Sequence, residues 1–294
     1  MTDCLVSVIV ATWRRETELE RALTSLKTQT YPSFEVLVID DNDDAIWNHK
    51  VAEIAKKFQD SMPLRLIQNH PKQGSAGSRN VGIRAAQTEY ITFLDDDDLY
   101  LPEKIERQLT LMQEQNADYS LTDLDLYYDN GRFSEHRRRD YICSGVPLLE
   151  CHFMYHMTGT DTLMFRRDYL LKIGCFPCID LGDEFYLMHR AIEGGGKLAY
   201  LPECNVHAYV HDGANGLSSG EAKIRCENDL YAYKKQYLSN FSRSTVRYIR
   251  MRHYAVLTFA ELRMRRFGRA MIYAFHSILS APFACLRMVI RRKR

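Results

Sequence analysis

The stretch Tyr90-Ile91-Thr92-Phe93-Leu94-Asp95-Asp96-Asp97-Asp98 takes an apolar strand straight into four acids. A second apolar run, over residues 34–40, leads in the same way into Asp40-Asp41-Asn42-Asp43-Asp44. Open α/β sheets bind ligands just outside the carboxyl ends of their strands. Both acidic clusters therefore lie where a ligand would bind, although a solvated acidic turn would explain either run taken alone.

Around these clusters, apolar runs alternate with amphipathic stretches, which is typical of βαβ units and a largely parallel sheet covered on both faces. We predict strands over residues 5–11, 34–40, 64–68 and 90–94. Leu19, Ala22, Leu23 and Leu26 recur at helical spacing and predict a helix over 16–28. Further helices are predicted over 75–86 and 103–115.

The middle of the chain is less regular. Strands are predicted over 119–128, 162–166 and 197–201, and a helix over 184–193 that Gly194-Gly195-Gly196 closes. From residue 221 onward the pattern is helical almost to the end. We therefore expect an α/β domain over residues 1–220 and a helical extension over 221–294.

Composition and charge narrow the class of protein. The 294 residues are 46% hydrophobic and 26% charged, which excludes disordered, collagen-like and coiled-coil chains. The last 54 residues hold 13 Lys and Arg against one acid, a formal charge of +12. The first 240 hold 26 basic and 37 acidic residues, a charge of −11. An acidic domain with a basic arm suggests an anionic partner surface.

The tail also carries apolar residues that favour lipid over nucleic acid as that partner. Residues 270–290 contain 16 apolar side chains in 21, interrupted by His276, Pro282 and Arg287. We expect a broken helix lying on anionic lipid at the inner face of the cell membrane, with no nucleic acid bound. A soluble extension with packed apolar faces is the alternative. The N-terminus lacks the basic start of a signal peptide, so a cytoplasmic location is expected.

The eight cysteines are irregularly spaced and are expected to be reduced thiols. Cys175 and Cys178 form one CxxC, which supplies only two of the four ligands that a structural zinc needs. The adjacent carboxylates fit Mg²⁺ or Mn²⁺ better, and such ions commonly bind substrate phosphates as well. Neither a P-loop nor a GxGxxG fingerprint is present to bind those phosphates.

The first 110 residues resemble family 2 glycosyltransferases, the inverting nucleotide-sugar enzymes with the GT-A fold. The matching segments, in the order of the family, are Val6 to Trp13, Gln29-Thr30-Tyr31, Phe34 to Asp41, Ser78 to Ile83, and Glu89 to Asp98 followed by Pro102. The resemblance implies a GT-A mixed sheet flanked by helices, here with a basic amphipathic C-terminal extension. It departs from the family at Trp13, where Tyr is usual, and at Asn42-Asp43, where Gly-Ser is usual.

The resemblance also implies roles for individual residues. Thr12, Trp13, Asp40 and Asp41 would line the nucleoside pocket, and Arg79 would lie beside the nucleotide. Asp95 and Asp97 would be the two acids of the DxD motif and ligands of a Mg²⁺ or Mn²⁺ ion, Asp97 the more direct of the two, and Asp95 and Asp96 would also contact the nucleotide sugar. His211, before a Gly- and Ser-rich segment, is a further metal or phosphate candidate, or an ordinary surface histidine.

Inverting transfer also needs a base. Gly182-Asp183-Glu184 precedes a predicted helix, and Arg190 lies six residues beyond Glu184. This matches the Glu-Asp pair of the family in reversed order, so Glu184 takes the base position and Asp183 is the second candidate. An ordinary acid at a helix N-terminus is the alternative interpretation of Glu184.

Together these features predict transfer of a sugar from a nucleoside-diphosphate donor to an acceptor hydroxyl, on a lipid-linked or cell-surface glycan in bacterial polysaccharide assembly. Two other functions would use part of the same pattern. A nucleotidyltransferase would also need clustered acids and a metal, and a silent membrane-bound module would bind lipid without turnover.

Overall fold

The computed structural model describes residues 4–179, 182–210 and 220–291. By their internal contacts these residues form two units, one from residues 1–144 and 157–212 and the other from 145–156 and 213–294. The segment 145–156 thus groups with the C-terminal residues. The domain boundary at residue 220 stays a prediction.

Among its described residues, the first unit contains a nine-stranded mixed sheet. Its first half alternates strands and helices: β1 (Val6–Thr12), α1 (Thr17–Lys27), β2 (Phe34–Asp40), α2 (Ala45–Gln59), β3 (Leu64–Gln68), α3 (Gly74–Ala85) and β4 (Tyr90–Phe93). The four strands pair in parallel in the order β3-β2-β1-β4. This confirms the predicted parallel half of the sheet.

The second half adds β5 (Leu99–Tyr100), α4 (Lys104–Gln115), β6 (Tyr119–Tyr128), β7 (Phe133–Arg137), β8 (Leu163–Arg166), α6 (Arg167–Lys172), α7 (Asp183–Glu193) and β9 (Leu198–Val210). Strand β8 is antiparallel to both β4 and β6, and it joins the two halves. Strand β6 pairs with β7 on one side and runs parallel to β9 on the other.

The sequence missed several of these elements. Helix α2 and strands β5 and β7 were not predicted, and β9 extends nine residues beyond the predicted end at 201. Asp44 starts α2 by accepting a hydrogen bond from Ile46 N at 2.8 Å. The buried face of α2 includes Val51, Ile54 and Phe58. This face was not recognised in the sequence because Trp47 precedes these positions and several charged residues lie between them.

The second unit is helical, as predicted from residue 221. It contains α5 (Leu148–Tyr155), α8 (Gly220–Lys235), α9 (Arg243–Arg263), α10 (Phe267–Ser280) and α11 (Pro282–Arg291). None of the described helices alone combines the length and the hydropathy of a membrane span. Helix α10 and the first part of α11 reach them only together, and this pair is bent by 118°.

Packing of α3 on the sheet depends on one glycine. A Cβ atom at Gly82 would lie 2.6 Å from Cγ2 of Ile9, a buried residue of β1. We predict that Gly82→Ala lowers the free energy of unfolding by about 1–3 kcal/mol, the usual cost of overpacking. Gly268→Ala is the matched control, because it adds a methyl to an exposed helix position with no atom within 4 Å. Chemical denaturation measures both, and equal stability of Gly82→Ala and wild type would contradict the packing argument.

Candidate active site

Three carboxylates converge beside the end of β4. One oxygen each of Asp95, Asp98 and Asp161 lies within 4.8 Å of the others. Backbone groups fix them: Asp95 N donates to Asp161 Oδ1 at 2.6 Å, and Tyr209 N donates to Asp98 Oδ1 at 2.8 Å. We call Asp95, Asp98 and Asp161 together the acidic group. Its members come from segments of the chain more than sixty residues apart.

The negative charges of the acidic group are only partly compensated by nearby cations. Burial raises the pKa of Asp98 well above its usual range, and the adjacent Asp161 raises it further. Burial also raises the pKa of Asp161 and of Asp95, although Arg79 opposes the rise at Asp95. Closely spaced carboxylate oxygens are the donors that Mg²⁺ and Mn²⁺ prefer. The donor set thus fits such an ion.

A buried amine lies next to this acidic group. Lys104 is fully buried, and its Nζ donates to Tyr100 Oη at 2.7 Å and to Thr92 Oγ1. Tyr100 Oη lies 3.2 Å from the carbonyl oxygen of Asp161. Burial lowers the pKa of Lys104 well below its usual range. The ammonium group therefore contributes less positive charge here than a surface lysine would.

Asp96 and Asp97 face a different set of partners. Thr12 Oγ1 donates to Asp96 Oδ2 at 2.7 Å, and Arg15 Nη1 lies 3.2 Å from Asp96 Oδ1 and in close contact with Asp97 Oδ2. Burial raises the pKa of Asp96 to about 7, against the opposing effect of Arg15. Arg21 Nη2 donates to the carbonyl oxygen of Asp97 at 2.6 Å. Asp97 is thus held by two arginines, and a cation at its Oδ2 would compete with Arg15.

Arg79 joins the acidic group to helix α7. The side chain is only 7% exposed, and its Nη2 lies 2.6 Å from Asp95 Oδ1 while Nη1 lies 3.3 Å from Asp183 Oδ2. Burial alone would lower the pKa of this guanidinium, but the two carboxylates outweigh that effect and raise it. Arg79 is therefore a permanent cation between the two acids.

The two acids that begin α7 have different environments. Glu184 accepts from Thr160 N at 2.8 Å, from Thr160 Oγ1 and from Gly159 N at 3.3 Å, so its carboxylate holds the turn before β8. Asp183 faces Arg79 instead, and burial, with Glu184 and Asp95 nearby, raises its pKa to about 6. A carboxylate with a raised pKa is the better proton acceptor.

The acids after β2 are engaged within the chain. Asp40 Oδ1 accepts from Asn42 N and Nδ2 at 3.0 and 2.7 Å. Asp41 accepts from Gln73 N at 2.7 Å and Gly74 N at 2.8 Å, at the N-terminus of α3. Asp41 thus occupies the position that a bound anion often takes at a helix N-terminus.

Comparison with known proteins identifies the family. Residues 7–179 match the profile described as glycosyl transferase family 2. The chain belongs to glycosyl transferase family 2. It is 31% identical over 187 residues to the Escherichia coli UDP-Glc:alpha-D-GlcNAc-diphosphoundecaprenol beta-1,3-glucosyltransferase WfgD, covering 64% of this chain and 69% of that protein. The E. coli enzyme WfaP, of the same printed activity, is 28% identical over 230 residues, covering 77% of this chain and 85% of that protein.

Solved structures show that this glycosyltransferase has the GT-A fold. The Staphylococcus aureus TarS fragment 1–349 in complex with UDP-GlcNAc matches with a TM-score of 0.62 at 20% identity, over 92% of this chain and 90% of that one. The Pyrobaculum calidifontis mannosyltransferase PcManGT in complex with GDP-Man and Mn²⁺ matches with a TM-score of 0.58 at 18% identity, over 98% and 86%. Both the family resemblance and the fold class expected from the sequence are confirmed.

The structure of this family 2 glycosyltransferase brings some of the expected site residues together and separates others. Asp95, Arg79 and Asp183 form one connected network, and Thr12 joins Asp96. Trp13 is 44% exposed at the end of β1, with Lys72 Nζ 3.7 Å from its ring centroid. His211 lies outside the described residues.

Other site residues were missed by the sequence analysis. Asp161 belongs to the acidic group, Lys104 lies beside it and Arg15 contacts Asp96 and Asp97, but none of the three was singled out. A lysine beside the apolar face of the predicted helix 103–115 was a usable signal for Lys104. Asp161 gave no such signal, because only the pairing of β8 with β4 brings it to Asp95. Arg190 donates to the carbonyl groups of Gly174 and Cys175, so it holds a turn.

The contrast between Asp183 and Glu184 predicts that their substitution lowers stability by different amounts. Glu184→Gln weakens charge-assisted hydrogen bonds to Thr160 and Gly159 and should lower the free energy of unfolding by about 1–3 kcal/mol. Asp183→Asn should lower it less at pH 7, because a folded pKa of about 6, above the ordinary Asp value of 3.8, means that ionising Asp183 costs free energy in the folded state, which offsets the loss of its contact with Arg79. Denaturation at pH 7 measures both variants, and a larger loss in Asp183→Asn would contradict the assignment.

Proposed function

We propose that this glycosyltransferase moves a hexose from a nucleoside-diphosphate donor to an acceptor hydroxyl with inversion, and that Asp183 is the base. The observation that carries the proposal is the position of Asp183. Its carboxyl group has a raised pKa and lies 3.3 Å from Arg79, which also contacts Asp95 of the acidic group. Glu184, the base suggested by the family resemblance, has its oxygens engaged by Thr160 and Gly159.

In the proposed reaction the acceptor hydroxyl attacks the anomeric carbon while Asp183 takes its proton. The new bond between the acceptor oxygen and the anomeric carbon forms as the bond to the diphosphate oxygen breaks, so the configuration at that carbon inverts. Arg79 orients Asp183 and stays protonated throughout. A bound Mg²⁺ or Mn²⁺ would offset the charge that develops on the diphosphate leaving group.

We assign Asp95 to that ion, because it belongs both to the DxD motif and to the cluster with Asp98 and Asp161. Asp97 is the more direct ligand implied by the resemblance, and at its Oδ2 the ion would compete with Arg15. His211 remains a proposed third contact. Thr12, Trp13, Asp40 and Asp41 are proposed to shape the nucleoside pocket, with the last two supporting its wall from within the chain.

The relatives favour a particular donor and acceptor. WfgD and WfaP are named for transfer of glucose from UDP-Glc to GlcNAc-diphosphoundecaprenol. We propose a UDP-hexose as the donor and a lipid-linked glycan as the acceptor of this chain. The reaction would then occur at the cytoplasmic face of the membrane.

Donor binding is tested by thermal stability with Mn²⁺ and a panel of nucleoside diphosphates. A ligand at a hundredfold its Kd stabilises the folded state by about 2.7 kcal/mol, so a clear shift in Tm is expected with UDP and Mn²⁺ together. Asp95→Asn and Asp97→Asn should lose the shift, whereas Asp43→Asn, at an exposed position, should keep it. No shift with any nucleotide in folded protein would favour a silent module, and pyrophosphate release from a nucleoside triphosphate would favour a nucleotidyltransferase.

The base is tested by kinetics. Asp183→Asn should lower kcat about 10²–10⁴-fold, the usual contribution of a positioned base. In the wild type, kcat/KM should fall tenfold per pH unit below about pH 6, because protonation of Asp183 removes the base and its pKa is about 6. Glu184→Gln should keep most of the activity of its folded fraction. An unchanged kcat in Asp183→Asn, or an acidic limb near pH 4, would refute the assignment.

Membrane association is proposed from the surface of α10 and α11. Their exposed apolar side chains are Phe267, Met271, Ile272, Phe275, Ile278, Leu279, Phe283 and Leu286, each at least half exposed. Exposed arginines, among them Arg269 and Arg287, lie on the same two helices. Apolar groups beside cations match the interface of an anionic bilayer.

Vesicle flotation tests this surface. The protein should float with vesicles that contain anionic phosphatidylglycerol, and binding should weaken when the apolar side chains are removed by Phe275→Ser with Phe283→Ser. Ile46→Ser is the matched control, because Ile46 is 70% exposed on α2. Equal flotation of the double variant and the control would contradict the proposal.

A further inference from the structure

A second group of potential metal ligands lies on strands β6, β7 and β9. Ligand atoms of Asp125, His136 and Cys204 all lie within 4.8 Å of one another. His136 Nδ1 contacts Asp125 Oδ1, and Cys204 Sγ lies 3.9 Å from the same nitrogen. None of these residues belongs to the acidic group of the candidate active site.

The sheet explains how three distant residues reach one point. Asp125 on β6 is in register with His136 on β7 and with His207 on β9, so the three residues form one row across the strands. Side chains in such a row project from the same face of a sheet. The pairing of β6 with β9 shifts register between Asp123 and Asp125, and Asp123 is in register with Cys204. The irregularity brings Cys204 into the group, although it lies three residues before His207.

The surroundings permit an ion to enter and to remain. The His136 side chain is 50% exposed, whereas that of Asp125 is 12% exposed. Aromatic rings border the group: Phe133 lies 4.8 Å from the His136 ring, and Tyr127 lies 4.6 Å from the His207 ring, measured between centroids. A partly enclosed ligand set with one open side is typical of sites at which water or a fourth side chain completes the coordination.

The chemistry of the three ligands differs from that of the active site. Thiolate, imidazole and carboxylate together suit Zn²⁺, which is commonly held by Cys, His and Asp in tetrahedral sites, whereas Mg²⁺ and Mn²⁺ prefer oxygen alone. We propose that Asp125, His136 and Cys204 form a transition-metal site for Zn²⁺ that links strands β6, β7 and β9, with His207 or water as the fourth ligand. The site is independent of the proposed sugar transfer.

The probe is the metal ion itself, added to the full chain after chelator treatment. Zn²⁺ should bind at one equivalent in competition with a chromophoric chelator and in the presence of excess Mg²⁺, which occupies oxygen sites. Co²⁺ in place of Zn²⁺ should give a thiolate charge-transfer band in the near ultraviolet together with visible bands of a tetrahedral site. Only a cysteine ligand produces the first of these signals.

Variants separate this site from other thiols and from the acidic group. Cys204→Ser should abolish the thiolate band and weaken Zn²⁺ binding at least tenfold, and His136→Gln should weaken it similarly. Cys143→Ser is the matched control, because Cys143 is an exposed free thiol outside the group, and it should bind as the wild type does. Asp95→Asn should also leave the band unchanged.

Three results would overturn the proposal: no Zn²⁺ bound by the wild type, no thiolate band with Co²⁺, or a band that survives in Cys204→Ser. The first two results need only the wild type, and His136→Gln, which keeps every thiol, assigns the site to this group if Cys204→Ser fails to fold. A stable Zn²⁺ complex should also raise the Tm of the wild type and of Cys143→Ser but not that of Cys204→Ser.

Discussion

The buried guanidinium of Arg79 is the interaction on which the site depends. Several carboxylates meet at the carboxyl edge of the sheet, and charged groups removed from water are costly unless they are paired. Arg79 comes from α3, and it contacts Asp95 after β4 and Asp183 at the start of α7. One side chain thus joins three segments of the first unit and fixes the distance between the donor side of the site and the proposed base.

The carboxylates around Arg79 differ in how far their negative charge is compensated. Arg15 pairs with Asp96 and Asp97. Burial raises the pKa values of Asp98 and Asp161, and repulsion from Asp161 adds to the rise at Asp98 as repulsion from Asp95 does at Asp161. Lys104, whose own pKa is lowered by burial, adds little positive charge beside them. The remaining negative charge makes the acidic group suited to a divalent cation and, through it, to a diphosphate. Asp183 lies at the far side of Arg79, where its pKa of about 6 keeps it ionised at neutral pH but still basic.

Much of the first half of the fold could be predicted from sequence because its signals are local. Strands β1 to β4 are short apolar runs, and their parallel order follows from the alternation with helices. The active-site contacts are not local, and the distinction between Asp183 and Glu184 illustrates this. Both acids begin the same helix, and only the approach of Gly159 and Thr160 engages Glu184. Our proposal therefore takes Asp183, the second candidate from the sequence, in place of Glu184, which the order of the pair in the family favours.

The cysteines also show that contacts between distant residues could not be predicted from local spacing. Spacing drew attention to Cys175 and Cys178, yet Cys175 is a buried thiol whose Sγ donates to the carbonyl of Leu170. The group that fits zinc instead combines residues 125, 136 and 204, and a register shift between two strands is needed to assemble it. Such an irregularity produces no periodic pattern in the sequence.

The residues after β2 are a second example. Asn42 replaces the usual glycine, and its Oδ1 accepts a hydrogen bond from the backbone N of Arg14, whose φ is 53°. That contact became visible only in the fold.

The central claim, a single displacement with Asp183 as the base, is tested most directly by the configuration of the product. UDP-glucose carries an α-linked sugar, so incubation with a synthetic GlcNAc-diphospholipid should yield a new β linkage, which the coupling constant of the anomeric proton reveals by NMR. The account predicts the β product alone. An α-linked product would contradict the single displacement and the role assigned to Asp183.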